Sequence, residues 1–562
     1  MRPRTFLYSL LLLACFAAGP LLAQEVVLST PLHYRGFDPA LPLLTVQGSG
    51  NQTSNITEFR DRTTGAAVTW MDFGGKLNTV LANISAQWVN SICMVDANTP
   101  GADAGAKIAY CINRLPATGG TVDARGLEGP QTIAQNVFAG VAKPVHLRLG
   151  AATFSVTAAQ NLPSNSRITG DGPIITNFVI GTAFLDPFNV VDASNATLED
   201  FRITGTGNSA GLGVVNPEIG ISIRSTGVTY PANVKVRNVE ITNTTVAVYI
   251  HEVSQVSVYD SYIHDQVWDI GDSEGYGVLV EIGSRISVSH NTFLNVPRHA
   301  IYFSQETVDS QADGNLITGG NRAQIAVQDN NNGLWAQRNN IIGNTIYGVV
   351  TAAGEADVAY GILVGPQSRY TQVSGNLVVA PQDGGIFISG SDALANAPTS
   401  NTVEGNLVFV SGATARGIRL ARATDNHVVG NTLIGDNVAG IAGILVAGSV
   451  ALNATENVLE ANHIKNFNVG IDMSGGTTID TYANGNSIVD AATPINDGGT
   501  TSRIGLNLQN GVPLLGPKTF GALGAPANGT IYYCSDCTIA NPCAAAGTGA
   551  FAKRLNGIWV CN

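Results

Sequence analysis

The chain has 562 residues, of which 64 are glycine, and only 12% of its residues are charged. This composition suits stacked strands joined by tight turns better than a helical bundle. The formal net charge is −12, and nucleic-acid binding depends on basic patches, so nucleic acid is disfavoured as a partner.

The first segment of the chain predicts export. Residues 1–23 contain Arg2 and Arg4, then an apolar run, then small residues before Ala23, which is the pattern of a secretory signal peptide. Its removal would take away two positive charges and change the net charge from −12 to −14. No later stretch approaches the ~20 apolar residues that a membrane span needs. We therefore expect a secreted or cell-surface protein without membrane insertion.

Residues 24–91 are predicted to form an N-terminal β segment and linker. Within them, the stretch GNQTSNITEFRDRTTGAAVTWMDFGG at residues 50–75 resembles a short β segment that precedes the shafts of trimeric phage tail fibres and related surface fibres. The resemblance implies a fibre-like protein and allows a homotrimer.

Two patterns recur through the central part of the chain. The first runs from LEDFRI at residue 198 to ANGNSI and places asparagine in one column from Asn291 to Asn486, usually 22 to 32 residues apart. The second has the form GILV, as at Gly361. Both alternate with period two, so we predict two short strands per ~25 residues in a solenoid of stacked coils. Asparagine suits the turn column, because it tolerates a left-handed backbone and its amide can bond to the asparagine of the next coil.

These columns resemble those of right-handed parallel β-helix proteins of the pectate-lyase-like superfamily. The segment MVDANTPGADAGAKIAYCINRLPATGG, from Met94, is similar to the entry segment of that superfamily. The resemblance implies an all-β right-handed parallel β-helix over residues 92–505, with an N-terminal helical cap formed by AKIAYCINRL. Cys93 and Cys111 are placed to pin this cap.

Residues 506–562 are predicted to form a Pro/Gly linker and a small C-terminal module that contains four cysteines, Cys534, Cys537, Cys543 and Cys561. Six cysteines remain after the signal segment, and an even number in an exported chain favours disulfides. A zinc site is the alternative for the C-terminal four.

Outward side chains of the GILV-type strands are candidates for substrate binding, because the alternate positions must fill the narrow interior. Aromatic residues there could stack on sugar rings, and arginine could pair with a carboxylate. The candidates on these strands and at the turns before them are Tyr276, Tyr302, Tyr360, Phe387, Arg416 and Arg419.

Two insertions point to a catalytic recess. The asparagine and glycine columns are 8 or 9 residues apart in several coils, but 16 from Ser261 to Gly277 and 17 from Asn344 to Gly361. The first insertion is rich in acids, and the coil after it brings a histidine that we place at the turn before its strand. The predicted catalytic residues are His264, Asp265, Asp269, Arg298 and His299. An acidic run predicts a Ca²⁺ site at Asp269, Asp272 and Glu274.

Such a recess suits a polysaccharide, most of all one that contains uronate. A base that removes the C5 proton would make the protein a lyase, and two carboxyl groups would make it a glycoside hydrolase. Sequence motifs that define polygalacturonases and mannuronan epimerases are absent. The alternative is therefore a non-catalytic surface fibre or adhesin that binds glycans.

Overall fold

The computed structural model describes strands at residues 43–45, 57–60, 67–71 and 77–79, and then residues 91–562 with twelve gaps. The gaps are 208–217, 228–229, 269–274, 330–332, 349–358, 380–383, 392–395, 413–414, 438–440, 450–451, 476 and 515. The chain divides into a unit Met1–Ser91 and a unit Ile92–Asn562. The predicted signal peptide, residues 1–23, lies outside the described residues.

The first unit contains an antiparallel sheet of four strands in sequential order. Its strands are Leu43–Thr45, Thr57–Arg60, Ala67–Met71 and Leu77–Thr79. Two of them, Thr57–Arg60 and Ala67–Met71, fall within residues 50–75, the stretch that resembles the fibre segment.

The second unit contains a parallel β-solenoid of about 14 turns, followed by a small C-terminal module. Its strands form three parallel sheets, named A, B and C, which run along the solenoid. Sheet A contains Ile92–Met94, Gly120–Ala124, Val145–Leu149, Arg167–Thr169, Ser287–Ser289, Gln311–Asp313, Asn340–Ile342, Gln372–Ser374, Thr402–Glu404, His427–Val429, Val458–Glu460, Tyr482–Asn484 and Arg503–Ile504.

Sheet B follows sheet A in each coil. It contains Gly129–Ile133, Ala152–Val156, Thr176–Ile180, Tyr262–His264, Thr292–Leu294, Leu316–Thr318, Thr345–Tyr347, Leu377–Val379, Leu407–Phe409, Thr432–Ile434, His463–Lys465, Ser487–Val489 and Asn507–Gln509, to which Val512–Leu514 pairs antiparallel. Thr197–Thr204 and Ala232–Thr242 bend so that each belongs to sheets A and B.

Sheet C closes each coil and contains the GILV-type strands. They are Gln160–Asn161, Phe188–Val191, Ile219–Arg224, Tyr276–Ser284, His299–Ser304, Ile325–Gln328, Tyr360–Val364, Gly384–Ser389, Arg416–Ala421, Ala442–Ala447, Val469–Met473 and Thr493–Asp497. Val246–Tyr259 begins in sheet C and ends in sheet A. Two further pairs of short parallel strands lie where the chain passes from sheet C to sheet A of the next coil. They are Ala336–Gln337 with Ser368–Arg369, and Ala454–Thr455 with Thr478–Ile479.

Our prediction of two strands per coil was therefore one strand short. The LEDFRI-type pattern contains two strands, separated by a residue of positive φ such as His290 at 55° or Gly375 at 63°. That residue lies immediately before the asparagine column, so the asparagines themselves do not adopt the left-handed backbone. The left-handed residue turns the chain, and sheet B starts two residues later, as at Thr292 after His290.

The predicted bond between asparagines of successive coils is confirmed. Asn376 donates its Nδ2 and its backbone N–H to Oδ1 of Asn406, both at 2.9 Å, and its own Oδ1 accepts the same two bonds from Asn344 at 2.9 Å. The pattern runs without interruption from Asn291 to Asn507. These asparagines are buried, so the ladder supplies the partners that their polar groups need.

A helix at Ala104–Arg114 begins at Asp103, whose carboxylate accepts from the Ala106 N–H at 2.7 Å. The helix buries Ile108, Cys111 and Ile112 in the same core cluster as the solenoid interior. Such an N-cap stabilises a helix by about 1 kcal/mol. The predicted disulfide between Cys93 and Cys111 is present, and it ties the helix to the first strand of sheet A.

The C-terminal module has its own small core and two disulfides, Cys534–Cys537 and Cys543–Cys561. Its four-stranded sheet contains Pro517–Lys518, Ile531–Cys534, Ala550–Leu555 and Ile558–Cys561, with a second pair at Cys537–Thr538 and Ala544–Ala545 and a 3-10 turn at Phe520–Ala522. Because all four cysteines are oxidised, the disulfide prediction holds over the zinc alternative.

No helix within the described part of the chain is long and apolar enough to span a bilayer.

Replacing Asn376 with alanine should lower the free energy of unfolding by about 2–4 kcal/mol, because it leaves two buried N–H donors of Asn344 without their acceptor and removes one of the two hydrogen bonds to Asn406. The measurement is urea unfolding followed by circular dichroism. The matched control is Asn340→Ala, an asparagine that faces outward on sheet A, for which we expect a change within about 0.5 kcal/mol. Equal losses in both variants would show that the ladder does not stabilise the solenoid.

Candidate functional site

Register along sheet C places polar side chains in rows on its outer face. In His299–Ser304 the side chains of Ile301 and Phe303 are fully buried in the interior, as the period-two pattern predicted. Tyr302 and Ser304 therefore face outward. The pairings align Ser304 with Glu281 and Gln328 in the adjacent coils.

One outward column of sheet C carries ionisable residues in three successive coils: Arg224, His251 and Glu281. The next column contains Tyr249, which precedes His251 by two residues. We name Arg224, Tyr249, His251 and Glu281 the sheet C cluster. Adjacent parallel strands lie about 4.8 Å apart, so side chains of this column in neighbouring coils can contact one another.

Contacts within the cluster centre on Glu281. The Tyr249 hydroxyl donates to its Oε2 at 2.7 Å, and Nδ1 of His251 lies 3.5 Å from the same oxygen. The two rings are stacked, with centroids 5.8 Å apart. Tyr249 and His251 are thus held side by side by one carboxylate.

Contacts with His251 and Tyr249 hold this carboxylate ionised. Burial opposes ionisation of Glu281, but the contacts with His251 and Tyr249 outweigh it and keep the pKa of Glu281 below its ordinary value. The His251 side chain is 28% exposed and that of Glu281 24%. The cluster is therefore open to solvent on one side.

The next two coils of sheet C place further polar side chains beside the sheet C cluster, and these are more deeply buried. Tyr302 is only 2% exposed, and its hydroxyl oxygen accepts from Nε2 of Gln328 at 3.1 Å. Burial raises the pKa of the Tyr302 hydroxyl. In place of an exposed ring for sugar stacking, Tyr302 packs with Leu279 and Tyr276 in an apolar cluster on the outer face.

We predicted that His299 lies at a turn that faces a recess, and this prediction is wrong. His299 is the first residue of its strand and is 4% exposed. Its Nδ1 makes a hydrogen bond with the carbonyl of Ala323, and its ring lies 4.9 Å from that of Tyr302. Burial, with the nearby positive charge of Arg298, lowers the pKa of His299 to about 3. An imidazole of such low basicity suits a structural role better than proton abstraction.

Arg298 and Tyr276 flank His299 on the same face. The Arg298 guanidinium lies over the Tyr276 ring, 5.0 Å from its centroid, and Tyr276 is buried. The structure thus brings together three of the predicted residues, Tyr276, Arg298 and His299, but as a packed cation–aromatic group.

The four remaining candidates for substrate binding form a second group further along sheet C. Arg419 lies over Phe387 at 4.8 Å and its Nη1 donates to the Tyr360 hydroxyl oxygen at 3.3 Å. The Tyr360 and Phe387 rings are 4.4 Å apart and both are buried. Burial and the charge of Arg419 lower the pKa of Arg416. This group is separated from His299 by the coil that contains Ala323 and Ala326.

His264 and Asp265 lie on the outer face of sheet B, apart from the sheet C residues with which we grouped them. Nδ1 of His264 is 2.8 Å from Asp265, and its Nε2 is 3.1 Å from Glu240. Glu240 also pairs with Arg202 at 2.7 Å. Hydrogen bonds from Asn295 and His264 lower the pKa of Asp265. Both ring nitrogens of His264 face carboxylates, which leaves no lone pair directed at a substrate proton.

The predicted Ca²⁺ ligands Asp269, Asp272 and Glu274 lie outside the described residues. Within the described residues, the groups of three or more potential ligands consist of C-terminal cysteines, one of them with Asp536. Those cysteines are already joined as disulfides.

Comparison with known proteins finds one family model, described as a right handed beta helix region, over residues 168–359 and 220–408. The parallel sheets of the structure have the architecture that this family model describes. The chain is a right-handed parallel β-helix protein. No curated protein sequence matches it.

Several solved structures resemble this β-helix at low sequence identity. The A-module of mannuronan C-5 epimerase AlgE6 of Azotobacter vinelandii is 16% identical, with a TM-score of 0.44, covering 66% of this chain and 91% of its own. The catalytic unit of a GH87 α-1,3-glucanase of Streptomyces thermodiastaticus is 14% identical, with a TM-score of 0.44, covering 72% and 66%. Tailspike protein 3 of bacteriophage CBA120 is 11% identical, with a TM-score of 0.39, covering 87% and 71%. At these identities the likeness shows the fold alone.

Sequence reasoning missed His251 and Glu281, although a signal for them exists. Each lies four residues after the start of its aligned GILV-type run, AVYIH and GVLVE, and so faces outward in the same column. Reading that column across coils would have revealed Arg224, His251 and Glu281 in succession.

Burial of His299 predicts a pH-dependent stability. Its pKa is about 3 in the folded β-helix against an ordinary value of 6.5, so between these values the unfolded chain binds a proton that the folded chain does not. The free energy of unfolding should therefore fall as the pH drops below about 6.5, by up to about 1.4 kcal/mol per pH unit. In His299→Gln this part of the slope should vanish.

The measurement is urea unfolding at pH 7.5, 6 and 5, and the control is His427→Gln, an exposed histidine on sheet A. An unchanged slope in His299→Gln would contradict the buried neutral imidazole.

Proposed function

We propose that this β-helix binds a uronate-containing polysaccharide on the outer face of sheet C and cleaves it by β-elimination. The observation that carries the proposal is the placement of His251 and the Tyr249 hydroxyl around the Glu281 carboxylate on a partly open surface. β-Elimination needs a base, an acid and a positive charge close together, and the sheet C cluster contains all three.

His251 is the base. Its Nδ1 lies 3.5 Å from Glu281, and its Nε2 lies 4.0 Å from Glu252, which is too far for a hydrogen bond. A proton on Nδ1 therefore leaves the Nε2 lone pair for the substrate, whereas both ring nitrogens of His264 are within hydrogen-bond distance of carboxylates. A carboxylate behind an imidazole holds the ring in the required tautomer and stabilises the imidazolium that forms. His299, whose pKa is about 3, lacks that basicity.

Tyr249 is the acid and Arg224 neutralises the substrate. The C5–H bond breaks and its proton passes to Nε2 of His251, while the C4–O4 bond breaks and O4 takes the proton of the Tyr249 hydroxyl. A double bond forms between C4 and C5, and the proton on His251 then restores Tyr249. Arg224, exposed in the adjacent coil, lies where its guanidinium can pair with the uronate carboxylate and acidify C5.

A basic surface is also needed because the chain as a whole is acidic, with a net charge of −12. Arg298, Arg416 and Arg419 lie further along the outer face of sheet C. From the Arg224 strand to the Arg419 strand is seven strand intervals, or about 34 Å at the spacing of parallel strands. A row of arginines of that length fits an extended anionic polymer.

The site of action is outside the cytoplasm. Three disulfides close the ends of the second unit, and disulfides of this kind form and persist in oxidising compartments. Export supports a polymeric substrate, which cannot enter the cell intact.

His251→Gln and Tyr249→Phe should each reduce elimination by about 10²–10⁴-fold, because each removes one proton-transfer group. The measurement is the ultraviolet absorbance of unsaturated uronate released from pectate and alginate, with reducing ends assayed in parallel. His427→Gln, exposed on sheet A, is the control and should retain full activity.

Each other outcome has a distinct meaning. Reducing ends without unsaturated product would indicate hydrolysis, and binding without any product would support the surface-fibre alternative. Full activity in His251→Gln would refute the assignment of the base.

A further inference from the structure

The outer face of sheet B is apolar over six successive coils, from Thr292–Leu294 to Thr432–Ile434. In each of these strands the middle residue is buried in the interior, so the two flanking residues face outward. Of these twelve outward residues none is charged and four are threonine. The other eight are Leu294, Leu316, Tyr347, Leu377, Val379, Leu407, Phe409 and Ile434. We call these twelve residues the apolar face.

Sheet A provides a matched comparison within the same coils. Its six strands from Ser287–Ser289 to His427–Val429 have the same length and the same stacking. Only two of their twelve outward residues are apolar, Ile342 and Val429. β-Propensity does not explain the four leucines of the apolar face, because leucine is not among the residues enriched in strands.

The apolar face is accessible along its length. Leu316 is 41% exposed, Tyr347 38% and Leu407 36%. Contiguous apolar surface of this kind is uncommon on monomers and marks interaction sites.

We propose that the apolar face is where a second copy of this chain packs, antiparallel to the first about a two-fold axis. Its rows repeat at the strand spacing of about 4.8 Å over six coils, and a second copy offers a surface with the same period. A two-fold interface uses the same patch on both subunits, and aligned sheets pack about 10 Å apart through their side chains.

Charge at the two ends of the apolar face selects the antiparallel arrangement. The coil before it ends in His264 and Asp265, and the Asp265 side chain is 51% exposed. The coil after it carries His463 and Lys465 on its sheet B strand. Two copies aligned in the same direction would place like ends together, whereas antiparallel copies place Asp265 near Lys465 of the other copy.

This arrangement fixes which rows meet. The two-fold axis passes between the third and fourth strands of the face, Thr345–Tyr347 and Leu377–Val379. Thr292 in the first row then lies opposite Thr432 in the sixth row of the second copy.

The first test is the mass of the purified chain by sedimentation equilibrium and light scattering. We expect two chains, and we expect Leu377→Lys to raise the dissociation constant at least about a hundredfold, because the lysine enters the interface twice without a partner. Ile342→Lys, the same change on sheet A, should remain a dimer. A mass of one chain or three chains, the latter matching the homotrimer allowed by the fibre-like segment, would overturn the proposal.

The second test is the direction of the two copies. All cysteines among the described residues form disulfides, so spin labels attach at cysteines introduced by Thr292→Cys or Thr345→Cys. In the antiparallel dimer the two labels at residue 292 are offset by five rows along the solenoid, about 24 Å, and those at residue 345 by one row, about 5 Å. With about 10 Å between the packed sheets, the backbone positions are about 26 Å and about 11 Å apart. Pulsed electron paramagnetic resonance should therefore give a longer distance between the two labels at residue 292 than between those at residue 345. Equal distances would show that the copies run in the same direction and would overturn the proposal.

Discussion

The asparagine ladder is the interaction on which the geometry of this β-helix depends. Each ladder asparagine binds the next through both its side-chain amide and its backbone N–H, so it sets the height and the register of one coil on the next. A register slip of one residue would move every apolar side chain of a strand to the outside. The ladder lies at the bend between sheets A and B, where a left-handed residue such as Gly375 turns the chain. The asparagine column therefore determines both how the coils stack and the direction of the chain as it enters sheet B.

Fixed register turns each outer face into a set of columns whose chemistry is independent of the interior. The interior needs only apolar residues of suitable size at alternate positions. Outside, sheet A carries mainly polar residues, sheet B an apolar surface and sheet C an ionisable and aromatic network. Glu281 can hold Tyr249 and His251 together because they lie on adjacent strands about 4.8 Å apart. The same spacing would let a repeating polymer or a second solenoid contact several coils at once.

Position along a strand decides what each histidine on sheet C can do. His299 lies at the start of its strand, among Tyr276, Tyr302 and Arg298, where burial removes the water that would stabilise an imidazolium. His251 lies near the exposed end of the equivalent run in an earlier coil and has a carboxylate beside it. Two histidines of the same sheet thus have different chemistry because they occupy different columns.

Sequence periodicity alone determined the solenoid class of fold, the inward positions and the asparagine contacts. These depend on local alternation and on a repeat length, both of which are visible in one dimension. The disulfide at the cap followed instead from the resemblance of the entry segment. The same periodicity predicted two strands per coil where the structure has three. The alternation does not reveal the left-handed residue that divides the LEDFRI-type pattern into a sheet A strand and a sheet B strand. Sequence reasoning also grouped His264 with His299, which the structure assigns to the outer faces of different sheets. Only the tertiary structure decided which outward residues share a face and which of them are covered, because side-chain exposure depends on neighbours one coil away, some 25 residues distant in sequence.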